Sequence, residues 1–383
     1  MKRIVYYTHV YFLDCDLPLI KSLQDRGYDV YLFLEITSSR LNSTLINLDK
    51  IHPVDGIFDY TIYPQLGRFK DFINLDKVTI LNRVSKVYGW NSLKLRWKFF
   101  QKINKISPEV IHLTDFLDSY DCLLYYYRNK IVQVVHDPFP HVGEADFRRN
   151  IFRNIGIRTL KKFVLLNERQ RDDFQGKYGL VDQQLSTNKL GAYDCLLLYE
   201  SDIKFDFSKG YVLFFGRISK YKGIDKLLEA MAIVHESLPH LRLVIAGGGD
   251  FHFDIEDYKK LEYITFLNRY VTMSELYSLL NGAKFVVCPY IEATQSGVVM
   301  TSYTLRKPVI VTDVGGLAEM VEDGKTGLVV EANSVQKLSE AICLLGIDSN
   351  LNEQMSANIT NLISAGDMSW SNIAAKYVDF YNK

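Results

Sequence analysis

The sequence predicts an α/β protein built from two doubly wound, mostly parallel sheets. Three observations carry that expectation. Short apolar runs alternate with amphipathic stretches almost from end to end. The runs are continuous rather than alternating, as in strands covered on both faces. The length of 383 residues exceeds what one hydrophobic core usually serves, so two domains are expected.

In the first half, Ile4–Thr8, Val30–Leu34, Val110–Leu113, Ile131–His136 and Phe163–Asn167 read as buried strands. In the second, Tyr211–Phe215, Leu241–Ala246, Tyr263–Leu267, Phe285–Tyr290, Val309–Thr312 and Gly327–Val330 do the same. Helices fall between them. Ile224–Leu238 is one, with Ile224, Leu227, Leu228, Met231 and Val234 on one face and Pro239 beyond its end. Strands alternating with helices give doubly wound open sheets. The polar stretch Glu200–Lys209 separates two such sets. The expected domains are therefore 1–200, joined by a returning terminal helix 368–383, and 201–367.

Composition removes several classes. With 45 basic and 45 acidic residues and 48% hydrophobic residues, the chain is ordinary globular, which excludes disordered, collagen-like and disulfide-stapled proteins. Zero formal charge argues against a nucleic-acid binder, whose affinity rests on neutralising phosphates. The five cysteines lie apart with no C-x-x-C pair, so they read as core thiols of a reducing compartment and no zinc site is expected. The N-terminus runs directly into a strand pattern, so no signal peptide is expected. No apolar run approaches a membrane span of ~18–20 residues. A soluble or peripheral protein on the cytoplasmic side is the expectation.

Chemistry concentrates in the second half. A strand ends at Gly216 and a helix starts near Gly223, which places Arg217 and Lys222 at the carboxyl end of a strand, where open α/β sheets bind ligands. Arg offers a planar fork for phosphate oxygens and Lys a point charge. Taken alone, two loop cations are equally well solvated surface charge. A second loop, Ile291–Gly297, brings Thr294, Ser296 and Gly297 to a helix start, where terminal N–H groups lack partners and favour an anion. An ordinary serine cap would look the same. Two such loops on one sheet edge point to a diphosphate between them. A third, Asp313–Glu319 with Gly315 and Gly316, reads as structural.

These stretches resemble glycosyltransferase family 4, the retaining GT-B enzymes. The resemblance runs through Phe215-Gly216-Arg217 to Lys222-Gly223, Ile245–Asp250, Pro289–Gly297 leading to Lys307-Pro308-Val309, and Gly315-Gly316 to Gly327. The first half is similar more loosely, through Val135–Pro138 with Pro140-His141, and through Leu166-Asn167-Glu168. The resemblance implies a GT-B fold whose last helix, bearing Trp370, crosses back to the first domain. It implies that Gly216, Arg217 and Lys222 hold a donor diphosphate, and that Thr294, Gln295, Ser296 and Gly297 wrap the sugar and distal phosphate. Glu292 would contact sugar hydroxyls, and the base would lie near Phe266, Asn268 and Arg269. His136 would project beneath the reacting sugar, with His141 a weaker candidate. The implied donor is a UDP- or GDP-sugar, and no cofactor or metal is expected. The implied reaction is front-face, with Arg217 and Lys222 doing for the leaving diphosphate what a metal does elsewhere.

The chain departs from the family signature of two glutamates eight residues apart. Eight after Glu292 stands Met300, and in the register set by Lys307-Pro308 the pair becomes Ala293 and Thr301. The second carboxylate is missing, and a Thr301 hydroxyl would supply one hydrogen bond in its place. Asp14-Cys15-Asp16 fits a metal pattern only literally, and Asp172-Asp173 reads as solvated charge.

Residues 1–200 carry 28 basic and 23 acidic groups, and 201–383 carry 17 and 22. The basic half has a local cause. Between 77 and 107 there are eight basic residues, no acidic one, and Trp90, Trp97, Phe99 and Phe100 interleaved. A second basic stretch spans 148–162. Both suit an anionic membrane surface, and equally a solvated helix face over core aromatics. Family habit points to a glycan or lipid-linked acceptor in bacterial surface polysaccharide synthesis. Three rivals stand beside this reading. They are a nucleotide-sugar epimerase of the same fold, a catalytically silent GT-B-like module, and a nicotinamide dehydrogenase, which the spacing of Gly247-Gly248-Gly249 disfavours.

Overall fold

Hydrophobic runs too apolar to face water on either side become the central strands of two sheets. A computed structural model of the chain describes residues 2–39, 41, 45–48, 50–139, 147–208 and 210–383, without the side chain of Arg149. His141 lies outside the described residues.

The first unit holds β1 (Arg3–His9), β2 (Asp29–Thr37), β3 (Gly56–Phe58), β4 (Val78–Arg83), β5 (Val110–Leu113), β6 (Ile131–Val135), β7 (Phe163–Leu165) and β8 (Leu185–Thr187). Their spatial order is β3-β4-β2-β1-β5-β6-β7-β8, all parallel except the β3–β4 pair. Around the sheet run α1 (Leu13–Asp25), α2 (Trp90–Ile106), α3 (Phe147–Thr159) and α4 (Arg171–Tyr178). Strand β4 lies inside the basic stretch and was not expected from the sequence. Its flanking Lys77 and Arg83 hide a run, Val78–Leu81, whose residues are at most 6% exposed.

The second unit holds β9 (Tyr211–Phe215), β10 (Leu243–Ala246), β11 (Ile264–Leu267), β12 (Ala283–Cys288), β13 (Val309–Thr312) and β14 (Gly327–Val330) in the order β11-β10-β9-β12-β13-β14. All neighbours are parallel. Its helices are α5 (Ile224–Ser237), α6 (Met273–Gly282), α7 (Gly297–Thr304), α8 (Val335–Ile347) and α9 (Ser349–Ser364).

The last helix, α10 (Trp370–Asn382), belongs to the first unit. Buried His112 on β5 stacks on Tyr6 at 4.2 Å and shares a 2.6 Å hydrogen bond with the Tyr381 hydroxyl. Asn188 Nδ2 donates to the Ile373 carbonyl at 3.0 Å, and Ser22 Oγ to the Trp370 carbonyl at 3.0 Å. These bonds explain why a segment following the second sheet returns to the first.

The compact units are Met1–Leu190 with Trp370–Lys383, and Gly191–Ser369. The boundary therefore precedes the polar stretch expected to mark it, and the return begins at Trp370. Segment 191–201 belongs to the second unit because the Tyr193 amide bonds the Met300 carbonyl and Ser278 Oγ bonds the Ser201 carbonyl. Among the described residues no helix is long and apolar enough to cross a membrane.

Candidate functional site

In the first unit the chain direction across the sheet reverses between neighbours β1 and β5. Loops leaving adjacent strands there diverge and open a crevice at the strands' carboxyl ends. Tyr11 and Phe12 follow β1, Asp115 follows β5, and His136 follows β6. The Tyr11 hydroxyl reaches Asp115 Oδ2 at 3.4 Å, and Phe12 stacks on His136 at 4.4 Å. Burial holds the His136 imidazole neutral, its pKa pushed down to about 4 against the pull of Asp137 and Asp115. His136 thus lies at the carboxyl end of β6, the edge at which open α/β sheets bind ligands. Tyr11 and Asp115 were missed; the strand ends were legible, but their adjacency depends on strand order.

Asp16, half of the literal Asp-x-Asp match, is 3% exposed and accepts hydrogen bonds from the Tyr6, Thr8 and Thr114 hydroxyls. It ties β1 to β5. A buried ionic cluster lies on the other face of β1, where Tyr7 and His9 meet Glu35. Glu35 at the end of β2 accepts from Tyr7 OH, Arg83 Nε and Arg96 Nη2, and Arg96 also pairs with Asp121 at 2.8 Å. Burial works against the Glu35 carboxylate, yet Arg96, His9 and Arg83 together hold its pKa well below the usual range.

The second sheet reverses between β9 and β12. Loop 216–223 leaves the first of these strands and loop 289–297 the second. Gly223 joins them. With φ +63° its absent Cβ would stand 2.0 Å from the Pro289 carbonyl oxygen, and the Ile291 amide bonds the Tyr221 carbonyl at 2.7 Å. This contact sets Lys222 against Tyr290, whose ring centroid is 3.5 Å from Nζ. Desolvation lowers the ammonium from its ordinary 10.5 to about 8, with Cys288 opposing and Arg217 adding to the effect. Among the described residues Lys222 has no carboxylate partner. Arg217 stands exposed at the mouth of the same loop.

Gly216 precedes Arg217 at φ +117°, where a side chain would be strained. A Cβ on Gly247 would stand 1.9 Å from the Gly216 carbonyl oxygen, and one on Gly249 2.3 Å from that of Ile218. The glycine triplet thus lets loops 216–218 and 247–249 pack backbone to backbone.

Opposite Arg217, α7 begins at Gly297. Ser296 precedes it without a side-chain cap, its hydroxyl turned toward Tyr290 OH at 3.4 Å. First-turn amides lack intrahelical partners, so this start is open to an anion. Thr294 is 9% exposed, Gln295 is half-buried, and Glu292 is exposed at the loop's tip. Thr301 does not present a free donor. It is 4% exposed and its hydroxyl donates to the Gly297 carbonyl at 2.7 Å. Met300, one residue earlier, is fully buried in the core.

Beyond β11, half-buried Phe266 meets Phe251 edge-on at 5.7 Å and Asn268 is exposed. Arg269 is occupied. Its guanidinium grips Glu275 at 2.7 and 3.1 Å, and Glu275 with Thr272 caps α6. Phe266, Asn268 and Arg269 thus lie at the carboxyl end of β11.

Residues 209–348 match the family model described as Glycosyl transferases group 1. The match takes in all six strands of the second unit. The first-unit residues fall outside that match. The chain is 29% identical over 220 residues to alpha-D-kanosaminyltransferase of Streptomyces kanamyceticus, covering 55% of this chain and 57% of that protein. It is 28% identical over 182 residues to D-inositol 3-phosphate glycosyltransferase of Paenarthrobacter aurescens, covering 45% and 44%. The chain thus spans about half the length of the curated relatives it matches. Solved structures extend the likeness of fold to the whole chain. A glycosyltransferase from Rickettsia africae covers 100% of it and 98% of its own chain at TM-score 0.66 and 16% identity. Anabaena HepE, solved in complex with UDP, covers 100% of both at 0.64 and 15%. The fold is GT-B.

The loops that the sequence singled out, 216–223, 247–249, 289–297 and 313–319, all lie within the matched residues. In the register set by Lys307-Pro308 the paired-glutamate positions carry Ala293 and Thr301. The Ala293 carbonyl accepts the Gly316 amide at 3.3 Å, and a Cβ on Gly315 would lie 1.9 Å from it. Backbone contacts thus hold that loop against residues 315–316.

Proposed function

We propose that the chain is a retaining glycosyltransferase that moves a sugar from a UDP- or GDP-sugar to a glycan or lipid-linked acceptor in bacterial surface polysaccharide synthesis. One observation carries the reading. Loops 216–223 and 289–297 meet at the β9–β12 reversal, bringing desolvated Lys222, exposed Arg217 and the uncapped start of α7 to one edge. Two cations and free amides suit the two phosphates of a nucleoside diphosphate.

In this reading Arg217 and Lys222 stabilise the charge developing on the leaving diphosphate, with no metal required. Thr294, Gln295, Ser296 and Gly297 wrap the distal phosphate and sugar, and Glu292 at the loop tip meets sugar hydroxyls. Gly216 lets the backbone approach the phosphates, while Phe266 and Asn268 meet the base. Thr301 is assigned a structural role, because its hydroxyl proton is committed to Gly297. His136, held neutral on the first unit's own edge, is placed on the acceptor side with Asp115. The protein acts on the cytoplasmic side, peripheral to the membrane that carries the acceptor.

The test is calorimetric titration with UDP, GDP, ADP and NAD side by side. UDP or GDP alone should bind, and Arg217→Ala should weaken that binding by ~1.5–3 kcal/mol, the range for hydrogen bonds to charged groups. Binding of NAD, or of none of the four, or equal affinity in the variant, would overturn the reading.

A further inference from the structure

The structure divides the basic stretch 77–107 into two groups. Lys77 pairs with Asp29, Arg83 and Arg96 with Glu35, and Lys102 donates to Thr79 at 2.9 Å. These four are spent within the unit. Lys86, Lys94, Lys98 and Lys105 are exposed and make no side-chain hydrogen bond or ion pair among the described residues. Three of them lie on one face of α2, since Trp90, Lys94, Trp97, Lys98, Gln101 and Lys105 follow helical spacing and all are exposed. The opposite face, Leu95, Phe99 and Ile103, is at most 3% exposed, and Arg96 anchors it to Glu35 and Asp121. The helix is therefore fixed by its underside and presents tryptophan and lysine outward.

The aromatic surface extends past α2 in both directions. Trp90 is 79% exposed, Trp97 53%, Tyr126 73% and Phe147 80%, far above what core packing would leave. Trp97 stacks on Phe100 at 5.7 Å, and Phe100 meets Tyr126 edge-on at 5.6 Å. At the other end Arg148 lies over Tyr88 at 4.5 Å, which joins the start of α3 to the start of α2. On α3, Phe147, Ile151 and Ile155 repeat every four residues and are all exposed. A monomer rarely presents so continuous an apolar strip to water.

We propose that this strip, from Phe147 through Tyr88 and α2 to Tyr126, docks the protein on an anionic lipid bilayer. Tryptophan and tyrosine settle at headgroup depth, where one end is apolar and the other wet. Lysine stems lie along the apolar layer and extend their ammonium groups to lipid phosphates. The absence of any acidic residue between 77 and 107 makes the surface complementary to anionic lipid. The inference rests on the proposed function only for the benefit of bringing the acceptor edge to the membrane. Lipid binding itself needs no nucleotide.

The experiment uses the full chain with phosphatidylcholine vesicles, with and without phosphatidylglycerol as a third of the lipid. Cosedimentation should be at least about tenfold stronger on the anionic vesicles and should weaken as salt screens the lysines. Tryptophan emission should shift to the blue, because two of the chain's three tryptophans lie on the strip. Trp90→Ser with Trp97→Ser, and separately Lys94→Glu with Lys98→Glu, should each reduce binding at least about tenfold without changing nucleoside-diphosphate affinity. Equal binding to both vesicles, no binding, or variants that bind as the wild type would overturn the proposal. So would a dimer that the tryptophan changes dissociate, because the strip would then cover a second copy. Vesicle binding by a protein that fails to bind UDP or GDP would sink the donor reading and leave this surface standing.

Discussion

Lys222 offers the sharpest test of the phosphate reading, because the structure makes its charge costly in the empty protein. Burial takes the ammonium from its ordinary 10.5 to about 8, a penalty on the charged form of about 3 kcal/mol. The Tyr290 ring at 3.5 Å returns part of this, about 1–2 kcal/mol for a desolvated cation–π contact. A diphosphate docking beside Nζ would restore the charge. Above pH 8 a proton must therefore be taken up on binding. At pH 9 about one tenth of the side chains carry it beforehand, so affinity for UDP or GDP should be about tenfold lower than at pH 7. Calorimetry in two buffers of different ionisation heat would count that proton directly. Lys222→Arg, permanently charged, should flatten the pH profile, and Lys222→Gln should be both weak and flat. The stability sign also follows. The cost of the ammonium is present below pH 8 and fades as pH rises toward 10.5, so Lys222→Met should stabilise the ligand-free protein at pH 7 by about 1–2 kcal/mol. A wild-type affinity unchanged from pH 7 to 9, with no buffer dependence of the heat, would refute the reasoning.

Gly223→Ala should weaken diphosphate binding about tenfold and cost ~2–4 kcal/mol of stability, read by urea unfolding, since its Cβ would meet the Pro289 oxygen at 2.0 Å from a left-handed backbone. Gly176→Ala, inside α4 with nothing within 4 Å of the new Cβ, should instead gain about 0.5–1 kcal/mol. Glu35→Gln should cost ~3–5 kcal/mol by leaving buried Arg96 short of a partner, and adding Arg96→Met should recover part of that loss. His112, buried beneath α10 and pushed down to about 3 by burial, contributes stability that is present above pH 6.5 and lost as pH falls. Between pH 6 and 4 the wild type should lose about 1.4 kcal/mol per pH unit more than His112→Gln in acid unfolding.

Much of the second unit was legible in the sequence because its signals are local. A continuous apolar run such as Tyr211–Phe215 can only be a covered strand, and glycine at Gly216 and Gly223 marks where such a strand must turn. The first unit was less legible. Strand β4 was masked by Lys77 and Arg83, whose charges are neutralised by Asp29 and Glu35 from β2, a pairing no local pattern announces. The ion pair of Arg269 was not legible because its partner Glu275 lies on the next helix. Thr301 looked free for a ribose because a helical back-bond to Gly297 has no signature of its own.

The sequence by itself determined the alternation of strand and helix, the presence of two sheets and the order of the loops in the second, since periodicity, glycine and capping act over a few neighbouring residues. Only the tertiary structure decided which strands are adjacent. That adjacency puts the chain reversals at β1–β5 and β9–β12, desolvates Lys222 against Tyr290, brings Tyr11 to Asp115, and separates structural cations from those left on the surface. The cause is physical. Burial, charge pairing and backbone close approach depend on distances through space, and residues such as Gly223 and Pro289, 66 positions apart in the chain, meet only once the sheet has formed.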